Sequence, residues 1–133
     1  MIVDTSAIIA ILRDEPEAQS FAAAIAGTNA PRVSAVNFVE AAAIIDAARN
    51  PVASRRFDDF VREARLVIEP VTGEQARLAR EAYRDFGKGS GHAARLNFGD
   101  CFAYALARAT GEPILFRGND FGRTDLTSAF EKD

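Results

Sequence analysis

Four short, largely apolar runs, Ile2-Val3 and residues 31–35, 66–71 and 114–116, are separated by longer segments with helical periodicity. That alternation limits the fold more than any other feature of the chain. Strands so short and so apolar are read as covered on both faces rather than half in water. Strands that alternate with helices pair in parallel, since each helix supplies a crossover. The expected fold class is therefore α/β, with a central parallel β-sheet flanked by helices on both faces.

The helices are read from their breaks. Residues 7–12 follow the polar stretch Asp4-Thr5-Ser6, and residues 17–26 run to Gly27. An Ala-rich segment over 37–48 stops before Asn50-Pro51. Residues 54–65 place Phe57, Phe60, Val61 and Ala64 on one face. Residues 74–86 are expected to turn Ala76, Leu78, Ala79, Ala82 and Tyr83 inward, and Gly87 to Gly91 reads as a loop. A last helix, 97–110, ends at Gly111. No repeat, linker or low-complexity tract interrupts the pattern, so one domain spanning residues 1–133 is expected.

Composition narrows the class of protein. A chain of 133 residues buries about two-thirds of its unfolded surface, enough for a core without staples. With 48% hydrophobic and 26% charged residues, disorder is not the expected state. A single cysteine, Cys101, forms no internal disulfide. No run approaches the roughly 18 apolar residues of a membrane span. Met1 opens directly into Ile2-Val3-Asp4 without a basic leader, so the cytoplasm is the expected location and no membrane partner is expected. A net charge of −3 leans against a polyanionic partner. Against that, Arg77, Arg80, Arg84, Lys88 and Arg95 face only Glu81 and Asp85 between positions 77 and 95, and residues 86–99 hold no acid.

In open α/β sheets, ligands bind beyond the carboxyl ends of the strands. Asp4 directly follows the first strand, Glu40 lies one turn into the helix after the second, and Asp120 comes four residues after Phe116. Asp100 stands in the first turn of the helix before the last strand, and joins the others if that helix starts at the same pole. Four carboxylates in one small volume repel one another, and a divalent cation is what holds them together. Oxygen donors without His or Cys select Mg²⁺ or Mn²⁺ over zinc. Each acid also has a plainer use. Asn37-x-x-Glu40 and Asn97-x-x-Asp100 both read as capping pairs, Asp4 as the cap of its own helix, and Asp120 as part of a Gly118-Asn119-Asp120 turn.

The motifs also match a family. Ile2-Val3-Asp4-Thr5-Ser6-Ala7 resembles the opening of PIN domains, and Val39-Glu40, Leu96-Asn97-Phe98-Gly99-Asp100-Cys101, Gly118-Asn119-Asp120-Phe121 and Arg123-Thr124-Asp125-Leu126 resemble its later motifs. The order and spacing match across essentially the whole chain. It is similar in particular to VapC toxins, the nuclease half of VapBC toxin–antitoxin pairs. The resemblance implies a PIN-like fold and Mg²⁺-dependent endoribonuclease activity at Asp4, Glu40, Asp100 and Asp120, Mn²⁺ being the alternative ion. Asp4 and Asp100 would be direct metal ligands, with Glu40 and Asp120 acting partly through water. Asp125 competes with Asp120 for the fourth place. Thr5, Ser6 and Asn97 would orient ligands or touch phosphate.

The loop with Lys88, His92 and Arg95 is either an RNA-binding rim or a plain surface loop. By resemblance the partners would be an RNA substrate, a VapB-type antitoxin whose C-terminal segment occludes the site, and a second copy of the chain. Phe21–Ile25 and Phe57–Val61 offer apolar faces for such contacts, although use in the core is the simpler reading of both. A haloacid-dehalogenase-type enzyme would need a second Asp where Ser6 stands, and no Gly-x-Gly-x-x-Gly follows the first strand to bind a dinucleotide. The rival from another class is a PIN-like binding module without cleavage.

Overall fold

Asp4 ends the first strand after two residues because its side chain caps the helix that follows. In the computed structural model, which describes residues 1–118 and 120–130, β1 (Ile2–Val3) passes directly into α1 (Thr5–Leu12). Then come α2 (Ala18–Ala26), β2 (Arg32–Ser34), α3 (Ala35–Asp46), α4 (Pro51–Glu63) and β3 (Val67–Glu69). α5 (Gly73–Phe86), α6 (Phe98–Thr110), β4 (Ile114–Leu115) and a 3₁₀ turn at Phe121–Arg123 complete the chain. The strands form one sheet in the order β3-β2-β1-β4, with every pair parallel. The α/β class and the flanked parallel sheet are as the alternating pattern requires.

Side-chain alternation on the inner strands divides the core in two. Ile2 and Ile114 point into one cluster, filled by Ala79 and Ala82 of α5 and by Ala103 to Ala107 of α6. Val3 and Leu115 point into the other, with Ile8 of α1, Phe21 and Ile25 of α2, Ile45 of α3 and Phe57 of α4. Phe21 and Phe57 are thus core residues. The open edge of β4 is covered by the C-terminal segment: Ala129 N donates to Ile114 O at 2.8 Å, and Ile114 N to Thr127 O at 2.9 Å. None of the described helices is long and apolar enough to cross a membrane.

Five expectations need correction. α1 starts at Thr5, not 7, because Asp4 is its N-cap and Thr5 and Ser6 are already helical. β3 is not covered on both faces: it is an edge strand, with Val67 40% and Ile68 45% exposed. α3 starts at Ala35, not 37, because Ser34 Oγ accepts from Val36 N and is the true N-cap. Asn37 therefore lies inside the helix and caps nothing. α4 starts at Pro51, not 54, since Asn50 Oδ1 accepts from Val52 N and proline suits the first helical position. On α5, Ala79 and Ala82 are buried, but Ala76 and Tyr83 are exposed. Asn119, in the expected turn, and residues 131–133, in the expected domain, lie outside the described residues.

Candidate active site

The carboxyl ends of β1, β2 and β4 open onto a cavity of about 640 Å³ lined by Asp4, Thr5, Ser6, Glu40, Asn97 and Asp100 among others. Asp4 is 2% exposed. Its Oδ2 accepts from Ser6 N at 3.0 Å, which is the expected cap of α1. Its Oδ1 is buried and has no partner among the described residues. Burial, with the Glu40 charge adding to it, pushes the Asp4 carboxyl up to about 6, against the lowering effect of the Ser6 hydrogen bonds. A buried oxygen that carries charge and no donor is costly, and such an atom calls for a cation.

Glu40 is fixed from two sides. Thr5 Oγ1 donates to Glu40 Oε1 at 2.5 Å, and Asn37 Nδ2 lies 3.4 Å from the same oxygen. Asn37 is fully buried; its Nδ2 also donates to Gly99 O at 2.9 Å and to Thr5 Oγ1 at 3.2 Å. One amide thus ties α3 to α1 and to the first turn of α6. Gly99 permits this approach: a methyl group there would overlap the Glu40 carboxylate.

Asp100 and Asn97 form the expected reciprocal cap on α6. Asn97 Oδ1 accepts from Asp100 N at 2.8 Å, and Asp100 Oδ2 accepts from Asn97 N at 2.9 Å. Burial and the neighbouring Asp4 charge raise the Asp100 carboxyl to about 7, with Asp120 and Glu40 adding to the rise and the Asn97 backbone opposing it. The plain capping role and the gathering of acids are both present in this one residue. Asp120 is exposed, at the head of the 3₁₀ turn, and close enough for its charge to act on Asp100.

Among the described residues, no three carboxylates already close on one ligating point. Glu40 is turned to Thr5, and Asp100 to Asn97. The donor set still fits a hard divalent cation, because Asp4 Oδ1 is free and buried and every acid near it contributes oxygen only.

The structure does not bring the other sequence candidates here. Asp125 is held one to two turns down α6, where Tyr104 OH donates to its Oδ1 at 2.7 Å and Arg108 Nη1 stands 3.1 Å from Oδ2. Lys88, His92 and Arg95 are exposed on the α5–α6 loop and do not line the cavity. His92 Nδ1 accepts from Ala94 N at 3.0 Å, and its ring stands edge-on to Phe86. The cation that does reach the cavity wall is Arg117, just past β4. Its Nε donates to Glu17 Oε2 at 2.7 Å, Nη2 lies 3.6 Å from Glu15, and its backbone N donates to Ser6 Oγ. Position immediately after a strand was the only sequence signal for Arg117. The part played by Asn37 was hidden behind its likeness to a cap.

A family model described as PIN domain matches residues 1–126. Ribonuclease VapC28 of Mycobacterium tuberculosis is 55% identical over 132 residues, covering 99% of each chain. Among solved structures, VapC20 of the same organism, titled a sarcin-ricin loop cleaving toxin, aligns with TM-score 0.71 at 18% identity over 95% of both chains. A toxin–antitoxin complex from Klebsiella pneumoniae aligns with TM-score 0.70 at 16% identity over 98% of both. The protein belongs to the PIN-domain family, among the VapC ribonucleases.

Proposed function

We propose that this protein is a Mg²⁺-dependent endoribonuclease acting in the cytoplasm as the toxin of a VapBC-type pair, with Asp4, Glu40, Asp100 and Asp120 as its acidic site and Mn²⁺ as the alternative ion. The observation that carries this reading is the unpartnered, buried Asp4 Oδ1 with Glu40 and Asp100 gathered around it. Asp4 Oδ1 and the outer oxygen of Asp100 would hold the cation, with Glu40 and Asp120 flanking it. When bound, the cation supplies Lewis acidity at a phosphate oxygen and acidifies a water. The reaction would be attack of water on phosphorus with departure of the 3′ oxygen, the water's hydroxyl ending on the 5′-phosphate and its proton on the 3′-hydroxyl. Thr5 keeps Glu40 in place, and the Asn97 backbone keeps Asp100 in place. Carboxylates neutralised in this way remove the main electrostatic objection to an RNA substrate on an acidic protein.

A VapB-type antitoxin is supported by the family and by the toxin–antitoxin complex among the structural neighbours. A homodimer is part of the same proposal. The test is cleavage of a labelled total-RNA pool by antitoxin-free protein with Mg²⁺, with EDTA, and in an Asp4→Ala variant. Cutting that needs both the metal and Asp4 is expected. Cutting that survives EDTA or Asp4→Ala would overturn the site, and folded protein that cuts nothing would favour a binding module.

A further inference from the structure

Beside the acidic cavity, on the other flank of the α6 start, lies a second depression between α5 and α6. It is mainly apolar, about 360 Å³ in volume, and lined by Ala76, Arg80, Tyr83, Arg84, Phe98 and Phe102 among others. Phe98 is 70% exposed and Tyr83 is 49% exposed, an unusual amount of aromatic surface to leave in water. Phe98 stands between Asn97 and Asp100 in sequence, so its ring projects from the same helical turn that carries the acidic site. Phe102 packs against it, with ring centroids 5.0 Å apart and the planes tilted by 60°. Arg80 and Arg84 line the same depression. Arg84 is turned to Asp85, at 2.9 Å. These arginines belong to the acid-poor strip between positions 77 and 95, which the acidic cavity does not use.

An exposed ring, a second aromatic and flanking guanidinium groups are the chemistry of a stacking platform for an unpaired base with its phosphate. We propose that Phe98 and Tyr83 form a nucleobase subsite, with Arg80 beside it for the backbone, that seats a single-stranded nucleotide next to the scissile phosphate. This rests on the ribonuclease reading and extends it: a base is gripped between α5 and α6 within one helical turn of the acids. The arginines favour a polyanion over a second copy of the chain, since a stable dimer would have to desolvate them.

The test uses a fluorescent single-stranded oligoribonucleotide containing one site that the wild-type protein cuts. Binding is followed by anisotropy and cleavage by KM and kcat, for wild type, Phe98→Ala and Phe98→Trp. Each is repeated on an RNA with an abasic nucleotide on either side of the cut. The expected result is about a tenfold loss of RNA affinity and a matching rise in KM for Phe98→Ala, with Phe98→Trp restoring both. On the RNA abasic at the seated position, wild type and Phe98→Ala should become equal. A full-strength Phe98→Ala, or a deficit that persists on every abasic RNA, overturns the subsite. So does sedimentation showing that Phe98→Ala splits a dimer, which would make the groove an interface between copies. Wild-type cleavage in the same series tests the ribonuclease reading separately; an inert wild type that binds no RNA removes both.

Discussion

At the scale of single residues, the cavity is held in an unfavourable state that the proposed function would use. Asp4 carries a carboxylate into a place where one oxygen is satisfied by Ser6 N and the other by nothing among the described residues. Asp4→Asn keeps an oxygen for the Ser6 hydrogen bond and removes the charge. Without added metal, the variant should be more stable than wild type at pH 8 by on the order of 2 kcal/mol, read from urea unfolding. Its Mg²⁺-dependent RNA cleavage should fall by at least about 100-fold. A variant that is both less stable and fully active would show that the Asp4 charge has neither the cost nor the use assigned to it. Asp100 differs in kind, because its cap on Asn97 stabilises the helix whether or not a cation is present.

At the scale of elements, most of the fold was legible and part of the site was not. The inner strands could be read because Ile2-Val3 and Ile114-Leu115 are apolar on both faces, and the ends of α2 and α6 because Gly27 and Gly111 stop them. Asp4 and Asp100 could be read because each comes right beside a strand end or a helix start. Asn37 could not, since Ser34 at the end of β2 took the cap that Asn37-x-x-Glu40 imitates, and a buried cross-helix amide leaves no local pattern. Nor could Tyr83, whose apolar spacing on α5 suggests core while α6 covers only the side with Ala79 and Ala82. The packing of α3 on α6 depends on the missing side chain at Gly99. Gly99→Ala should push the Glu40 carboxylate off Thr5, a flexible group yielding to a methyl. Alanine also favours the helix by about 0.5–1 kcal/mol, so stability should stay within roughly 1 kcal/mol of wild type. Mg²⁺-dependent cleavage should drop by about tenfold or more. In a Glu40→Ala background the same change should add no further loss, which is the signature of two residues acting through one contact. Independent, additive losses would place the effect of Gly99 elsewhere.

At the scale of the whole molecule, the acids couple the fold to protons and, on the proposed function, to metal. Asp4 at about 6 and Asp100 at about 7 both lie above the usual carboxylate range of about 4 found in an unfolded chain. The folded state therefore holds these protons more tightly than the unfolded one. The resulting stability is fully present below about pH 4 and is lost as pH rises through 6 and 7. Glu17 and Asp85, lowered by Arg117 and Arg84, act in the opposite sense, but their contribution disappears only below the ordinary carboxylate range, outside this window. With EDTA present, the melting temperature should thus be higher at pH 5 than at pH 8, by on the order of 5 °C. Mg²⁺ should reverse the slope. On the proposed site it would bind the deprotonated acids of the folded state alone, so a concentration 100 times its dissociation constant would add about 2.7 kcal/mol at pH 8. At pH 5 protons compete for the same oxygens and the gain shrinks. An Asp4→Asn, Asp100→Asn double variant should lose most of both the pH slope and the metal response. A melting temperature in EDTA that is flat or rises from pH 5 to pH 8 would mean that these carboxyls are not held protonated by the fold. An unchanged metal response in the double variant would place the cation on other residues.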